Sequence, residues 1–122
     1  MALTLQAILF QHGGISVIGL NSLNMGIPAL LAWQVFEGRR GLESPRREIA
    51  FGAAAGAVAV LGAVIMLSLE LLVLGEAFEE IAVLVLAAHI PIVMIESIVL
   101  GMTAGYLFKV KPEMLIQAKA GL

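Results

Sequence analysis

Two ionisable side chains interrupt the longest apolar stretch of the chain, and their types and spacing could support chemistry. His89 and Glu96 lie within residues 81–108, where most other residues are apolar. They are seven positions apart, almost two turns of an α-helix, so the two side chains are expected to share one face. An ionised group at the centre of a bilayer costs on the order of 3 kcal/mol or more unless it has a partner. The two residues must therefore face protein, a cavity or each other.

The sequence leaves several roles open for His89 and Glu96. They can hydrogen-bond to each other and hold helices together, line a pathway or support a metal site, or bind a metal directly. Direct binding requires further ligands, because transition metals usually take three or four. Pro91 lacks a backbone N–H and permits a kink beside the histidine. An intramembrane acid/base enzyme that used the same two groups would lack a third catalytic group.

A second set of polar residues lies nearer the start of the chain. His12 stands beside two glycines and can cap a helix end or act as a mobile ligand. Asn21 and Asn24 are three positions apart and can hydrogen-bond across helices or to a neighbouring loop. Glycine, asparagine, serine and proline interrupt residues 15–36, which predicts a broken or re-entrant segment surrounded by protein or a wet cavity. The alternative is a surface loop that leads into a helix from about Pro28.

The elements that must position these residues are membrane-spanning helices. The chain is 61% hydrophobic and 13% charged, whereas about a quarter of the residues in a soluble domain are charged. Residues 49–74 and 81–108 are each long enough, at about 1.5 Å per residue, to cross a bilayer core of roughly 30 Å. Residues 1–10 are predicted to form only a helical stub, because ten residues of helix reach only about 15 Å. We predict an all-α integral membrane bundle of about three to four transmembrane helices, one of them broken or re-entrant, forming a single membrane domain over residues 1–122.

Small residues at helical spacing predict close packing between the two long spans. The stripes are Gly52, Gly56, Ala59 and Ala63 on the first span and Ser97, Gly101 and Gly105 on the second.

The distribution of charge predicts the orientation of the chain. All seven basic residues fall in two groups, at residues 39–47 and 109–119, whereas the turn at residues 75–80 holds only acidic charges. By the positive-inside rule, the loop at 37–48 and the C-terminus are cytoplasmic and the turn is external. Basic residues confined to short loops argue against a nucleic-acid partner and leave membrane lipid as the surroundings. Signatures of soluble enzymes and nucleotide-binding loops do not occur in the sequence, which argues against an enzyme.

Two motifs, in order, resemble a known family. Residues 11–15 read Gln-His-Gly-Gly-Ile, and residues 19–26 read Gly-Leu-Asn-Ser-Leu-Asn-Met-Gly. Residues 88–91 read Ala-His-Ile-Pro and are followed by Glu96. This pattern resembles the cobalt/nickel-uptake permeases CbiM and NikM, the substrate-specific membrane components of energy-coupling-factor (ABC-type) metal transporters.

The resemblance implies uptake of Co²⁺ or Ni²⁺ across the cytoplasmic membrane, linked to cobalamin biosynthesis. The metal is then the transported substrate, and no bound cofactor is expected. The implied partners are a second transmembrane energy-coupling subunit and ATPase subunits. The competing interpretation is a non-transporting structural or assembly subunit, or an inactive fragment without the metal ligands.

The resemblance also indicates a departure from the family. Family members bind the metal through a Met-His start and a further histidine ahead of the equivalent of Leu3, whereas position two of this chain is Ala2. The chain therefore resembles the C-terminal half of such a permease, and a polypeptide that supplies the other half is a further expected partner. No primary metal ligand is assigned. The residues expected in supporting or pathway roles are His12, Asn21, Asn24, His89 and Glu96.

Overall fold

A computed structural model describes residue 5 and residues 18–38 and 44–117 of the chain. No strand occurs among these described residues, and the prediction of an all-α fold is confirmed. The predicted stub at residues 1–10 lies, except for Leu5, outside the described residues, as does His12. The elements in chain order are α1 (Ile18–Glu37), α2 (Pro45–Val73), a 3₁₀ turn (Glu76–Phe78), α3 (Glu79–Val110) and α4 (Pro112–Gln117).

The helices α2 and α3 are the two long spans that the sequence predicts. They contain 29 and 32 residues, so at about 1.5 Å per residue each exceeds a bilayer core of roughly 30 Å. Both are long and apolar enough to cross a membrane. Between them, Gly75 has a φ of 123°. Glycine adopts this conformation without steric penalty, so the chain can reverse direction there.

The start of α2 corrects the predicted boundaries of the loop at 37–48. The helix begins at Pro45, so the connection between α1 and α2 comprises only residues 38–44. Proline is well suited to the first turn of a helix, where its missing N–H would have no helical partner anyway. Glu48 is buried in this first turn, where a carboxylate also interacts favourably with the helix dipole.

The helix α1 corrects a second prediction. Residues 18–36 form one continuous helix that runs through Pro28, so the predicted break does not lie in this stretch. Proline is tolerated within a membrane helix where neighbouring helices compensate for it. Here Pro28 is fully buried and packs against α2 at Gly62, which has no side chain to obstruct the ring. The Ser22 hydroxyl donates a hydrogen bond to the carbonyl oxygen of Ile18 at 2.6 Å, so this polar group is satisfied within the helix.

The helices α2 and α3 form an antiparallel pair whose backbones approach closely. A methyl group at Gly52 would lie 2.8 Å from Cβ of Ala104, and one at Gly56 would lie 3.0 Å from the carbonyl oxygen of Glu96. The predicted contact between glycine stripes is confirmed, but Ala59 is only half-buried. The buried positions of α2 recur instead at multiples of four residues, a spacing found in close right-handed helix crossings. These residues are Glu48, Gly52, Gly56, Val64 and Ser68.

The helix α2 lies in the middle of an open layer. The helix α1 packs on it through Asn24, Pro28 and Ala32, which are spaced by four and are the buried residues of α1. Within residues 18–38 and 44–117, α1 and α3 each contact α2 but do not contact each other.

Candidate functional site

His89 is bonded within its own helix. The residue is half-buried on α3, and its Nδ1 lies 2.7 Å from the carbonyl oxygen of Val85. A carbonyl oxygen can only accept a hydrogen bond, so Nδ1 must carry the hydrogen that it donates. The other ring nitrogen, Nε2, is therefore the atom through which His89 could bind a further group.

Glu96 lies near the middle of α3 with its side chain exposed. Its backbone faces α2, because a methyl group at Gly56 would lie 3.0 Å from the Glu96 carbonyl oxygen. In the part of the chain that the structure describes, the carboxyl group makes no hydrogen bond or ion pair. Glu96 is thus a polar group near the middle of α3 without a partner among the described residues.

The structure does not pair His89 with Glu96. Seven residues at about 1.5 Å per residue separate their backbones by about 10 Å along the axis. Side chains lean toward the N-terminus of a helix, and the imidazole follows this direction to Val85, away from Glu96. No group of three or more potential His, Cys, Asp or Glu ligands occurs among the described residues. Roles for both residues as pathway-lining or supporting groups stay predictions.

Asn24 presents a buried oxygen without a partner. Only 8% of the residue is exposed, and Oδ1 has no hydrogen-bond partner among the described residues. Leaving such an acceptor unsatisfied costs about 1–3 kcal/mol. Asn21, also predicted from the sequence, lies on the same helix and is half-buried. The interface of α1 with α2 therefore holds an acceptor that a water molecule or another donor could satisfy.

Ser68 is a comparable group that the sequence analysis missed. It is 4% exposed, and its Oγ has no partner in the described part of the chain. A serine in an apolar helix usually donates to the carbonyl four residues earlier, as Ser97 does to Val93 at 2.6 Å. The four-residue spacing of Gly52 and Gly56 could have identified Ser68, because continuing this spacing along the helix predicts a buried residue at position 68.

The candidate residues lie on two different helices, α1 and α3, each of which packs against α2. Asn24 lies one turn from Pro28, which contacts Gly62, whereas the backbone of Glu96 lies at Gly56 on the side that faces α3. Since α1 and α3 do not meet within the described residues, the asparagines are not brought together with His89 and Glu96. What the described residues offer is two separate polar groups in an apolar layer.

Comparison with known proteins identifies related sequences. The family model CbiM, described as the cobalt uptake substrate-specific transmembrane region, matches residues 1–114. The chain is 32% identical over 117 residues to the Haemophilus influenzae protein named "Putative metal transport protein", a match that covers 94% of this chain and 57% of that protein. It is 35% identical over 120 residues to "Putative cobalt transport protein CbiM 1" of Methanocorpusculum labreanum, covering 93% and 52%.

A second protein of the same organism, "Putative cobalt transport protein CbiM 2", is 35% identical over 122 residues, with 94% of this chain and 53% of that protein covered. The chain thus spans about half the length of the curated relatives it matches. No solved structure matches the chain.

Proposed function

Because the chain belongs to the CbiM family of cobalt-uptake transmembrane regions, we propose that it is the membrane component of an energy-coupling-factor transporter that takes up cobalt, or nickel. The observation that carries this proposal is the family match over residues 1–114. The family is a transport component rather than an enzyme, and the proposed activity is binding and release of the metal. In this proposal Co²⁺ or Ni²⁺ is the cargo of the protein, and the link to cobalamin biosynthesis comes from the family resemblance.

The proposed partners follow from what uptake requires. A second transmembrane subunit and ATPase subunits would supply the energy, since the sequence carries no nucleotide-binding loop. The matches cover 57% and 52% of the lengths of two relatives, and the remaining part, whether on this protein or on another polypeptide, belongs to the proposed transporter.

The candidate polar residues would serve the pathway and not the primary binding site. The chain has two histidines and no cysteine, whereas Co²⁺ and Ni²⁺ favour nitrogen and sulfur ligands over isolated carboxylate or amide oxygens. His89 would act through Nε2, and Asn24 through its unpartnered Oδ1. The set proposed for these supporting roles is His12, Asn21, Asn24, His89 and Glu96.

Uptake of cobalt in a host without its own cobalt importer tests the function. The chain would be expressed with coupling and ATPase subunits and with the segment of the Haemophilus influenzae relative that the match does not cover. We expect cellular cobalt to exceed that of cells in which only this chain is omitted. Equal cobalt in the two strains, with every subunit present in the membrane, would favour the non-transporting structural or assembly subunit.

Titration calorimetry tests the assignment of a supporting role. The purified chain alone should bind Co²⁺ no more tightly than on the order of tens of micromolar, because two imidazoles make a poor site for this metal. A stoichiometric submicromolar site that His89→Ala abolishes would make His89 a primary ligand and contradict the assignment.

We also propose a multi-pass orientation in the cytoplasmic (inner) membrane. The positive-inside rule supports a cytoplasmic loop at 37–48, a cytoplasmic C-terminus and an external turn at 75–80. The chain contains no cysteine, so single cysteines at Ser44 and Glu79 can be labelled selectively. They should react from opposite sides of the membrane; labelling of both from outside would refute this orientation.

A further inference from the structure

Two polar atoms on the facing helices α2 and α3 are not engaged in any hydrogen bond among the described residues. Ser68 on α2 is 4% exposed, and its Oγ has no partner there. His89 on α3 uses Nδ1 to donate to the carbonyl oxygen of Val85 at 2.7 Å, and its Nε2 makes no hydrogen bond in the same part of the chain. In a neutral imidazole with its hydrogen on Nδ1, Nε2 carries a lone pair. Each helix therefore holds one polar atom that is available to a ligand.

The contacts of the glycines fix the register between α2 and α3. A methyl group at Gly52 would lie 3.2 Å from Cα of Gly101, and one at Gly56 would lie 3.2 Å from Cα of Ser97. Four residues forward on α2 thus correspond to four residues back on α3, as expected for an antiparallel pair packed through ridges of four-residue spacing.

The same register continues toward the 3₁₀ turn that joins the two helices. On α2, Val64 and Ser68 are 2% and 4% exposed. On α3, every fourth residue from 85 to 97 is half-buried, whereas the residues between them are exposed. Further steps of four from the glycine contacts therefore set Val64 opposite His89 and Ser68 opposite Val85.

The imidazole of His89 lies at the level of Ser68. Side chains of a helix lean toward its N-terminus, and the bond from Nδ1 to the carbonyl oxygen of Val85 fixes the ring over the turn at Val85. Ser68 is opposite that turn, so the Ser68 hydroxyl and His89 Nε2 are neighbours across the interface. They do not hydrogen-bond to each other, and both are available to one common ligand.

We propose that His89 Nε2 and Ser68 Oγ form a weak subsite for the transported divalent cation between α2 and α3. The proposal rests on the proposed function in transport and adds Ser68 to the residues of the pathway. Imidazole nitrogen is a ligand that Co²⁺ and Ni²⁺ favour, whereas a hydroxyl oxygen is a weaker one. One ligand of each kind holds the cation loosely, which suits transfer along a pathway and not storage.

Replacement of the hydroxyl by a stronger ligand tests the subsite. A thiolate favours Co²⁺ more than a hydroxyl does, and the chain contains no cysteine of its own. The purified full chain carrying Ser68→Cys would be titrated with Co²⁺ in detergent at about pH 8, where metal ligands compete better with protons. We expect thiolate-to-cobalt charge-transfer absorption in the near ultraviolet and binding about tenfold tighter than in the unsubstituted chain.

Two further variants show whether the new thiolate acts together with His89. Ser97→Cys is the matched control, because Ser97 also faces α2 but lies eight residues from His89, about 12 Å along the helix axis. This variant should show no charge-transfer absorption. Adding His89→Ala to Ser68→Cys should weaken cobalt binding about tenfold, because the nitrogen ligand is removed.

A measurement on the unsubstituted protein guards against a folding defect in the cysteine variants. Co²⁺ is paramagnetic and broadens the NMR signals of nearby nuclei. The imidazole signals of His89, identified by their absence in His89→Ala, should broaden as Co²⁺ is added. Ser68→Ala should require about threefold more Co²⁺ for the same broadening, since a hydroxyl is the weaker of the two ligands.

Several outcomes would overturn the proposal. They are no charge-transfer absorption in Ser68→Cys, equal absorption in Ser97→Cys, cobalt binding by Ser68→Cys that His89→Ala does not weaken, and His89 signals that Co²⁺ leaves unchanged, as expected if only a water molecule binds here. These measurements need no coupling subunits and no transport. Failure here therefore leaves the transport proposal to its own test, and failure of cobalt uptake leaves the binding result in place.

Discussion

The two sides of α2 pack by different means. Toward α3, glycines at four-residue spacing allow backbone to approach backbone, and a methyl group at Gly52 would lie 2.9 Å from the carbonyl oxygen of Leu100. Toward α1, one glycine, Gly62, receives the ring of Pro28. The α1 side also buries Asn24, whose Oδ1 has no partner in the described part of the chain.

This difference separates close backbone-to-backbone packing from packing of a proline ring against a glycine. Helices in a membrane gain little from hydrophobic burial and associate through van der Waals contact between small residues. The α3 side uses this contact at Gly52 and Gly56, and the α1 side uses it at Gly62.

The largest effect should follow from filling the α3 side. In Gly56→Leu the new Cβ would lie 3.0 Å from the Glu96 carbonyl oxygen and 3.2 Å from Cα of Ser97, both backbone atoms. The helices must separate, and we expect a loss of about 3 kcal/mol in the free energy of unfolding in detergent and SDS mixtures. Gly26→Ala is the control, because nothing lies within 4 Å of its Cβ; alanine should be neutral or stabilise α1 by up to about 1 kcal/mol. Equal losses for both would mean that the stripe does not hold the helices together.

An intermediate effect is expected on the α1 side. In Gly62→Ala the added Cβ would lie 2.9 Å from Cβ of Pro28. Because the proline ring cannot rotate away, we expect a loss of about 1–2 kcal/mol in the same unfolding assay. Pro28→Gly combined with Gly62→Ala should recover part of this loss, because it removes the Cβ that the new methyl group meets. Strict additivity of the two changes would argue against contact between these residues.

Removing an unpartnered oxygen should have a smaller effect of the opposite sign. Ser68→Ala deletes a buried hydroxyl that bonds to nothing in the described residues, so the free energy of unfolding should stay constant or rise by up to about 1 kcal/mol. Ser22→Ala, which removes a bonded hydroxyl, is the comparison. A loss of more than about 1 kcal/mol on Ser68→Ala would instead show that a water molecule or another donor occupies this position.

The smallest expected quantity is the coupling between His89 and Glu96. The imidazole donates to Val85 and not to the carboxyl group, so His89→Leu and Glu96→Leu should be additive to within about 0.5 kcal/mol in a double-mutant cycle. A coupling energy above about 1 kcal/mol would restore direct pairing of the two side chains.

The sequence by itself determined the class of the protein and its main helices. Apolar length decides whether a helix can span a bilayer, and glycine spacing decides where two spans can approach; both can be read along the chain. The presence of the two spans α2 and α3, the contact of Gly52 and Gly56 with α3, and the family relationship follow from such patterns, whereas the start of α2 at Pro45 does not. The identity of the polar candidates follows in the same way from motifs.

Only the tertiary structure decided which polar groups have partners. Pro28 predicts a break when it is considered alone, and α1 stays continuous because Gly62, on another helix, leaves room for the ring. The seven-residue spacing places His89 and Glu96 on the same side of α3. The hydrogen on His89 Nδ1, however, is donated to the carbonyl oxygen of Val85 and not to the Glu96 carboxyl group. From the sequence, the Ser68 hydroxyl is expected to hydrogen-bond within its own helix. Only the structure shows that its buried Oγ has no partner among the described residues. Satisfaction of a polar atom depends on neighbours distant in sequence, and a pattern along one helix carries no information about them.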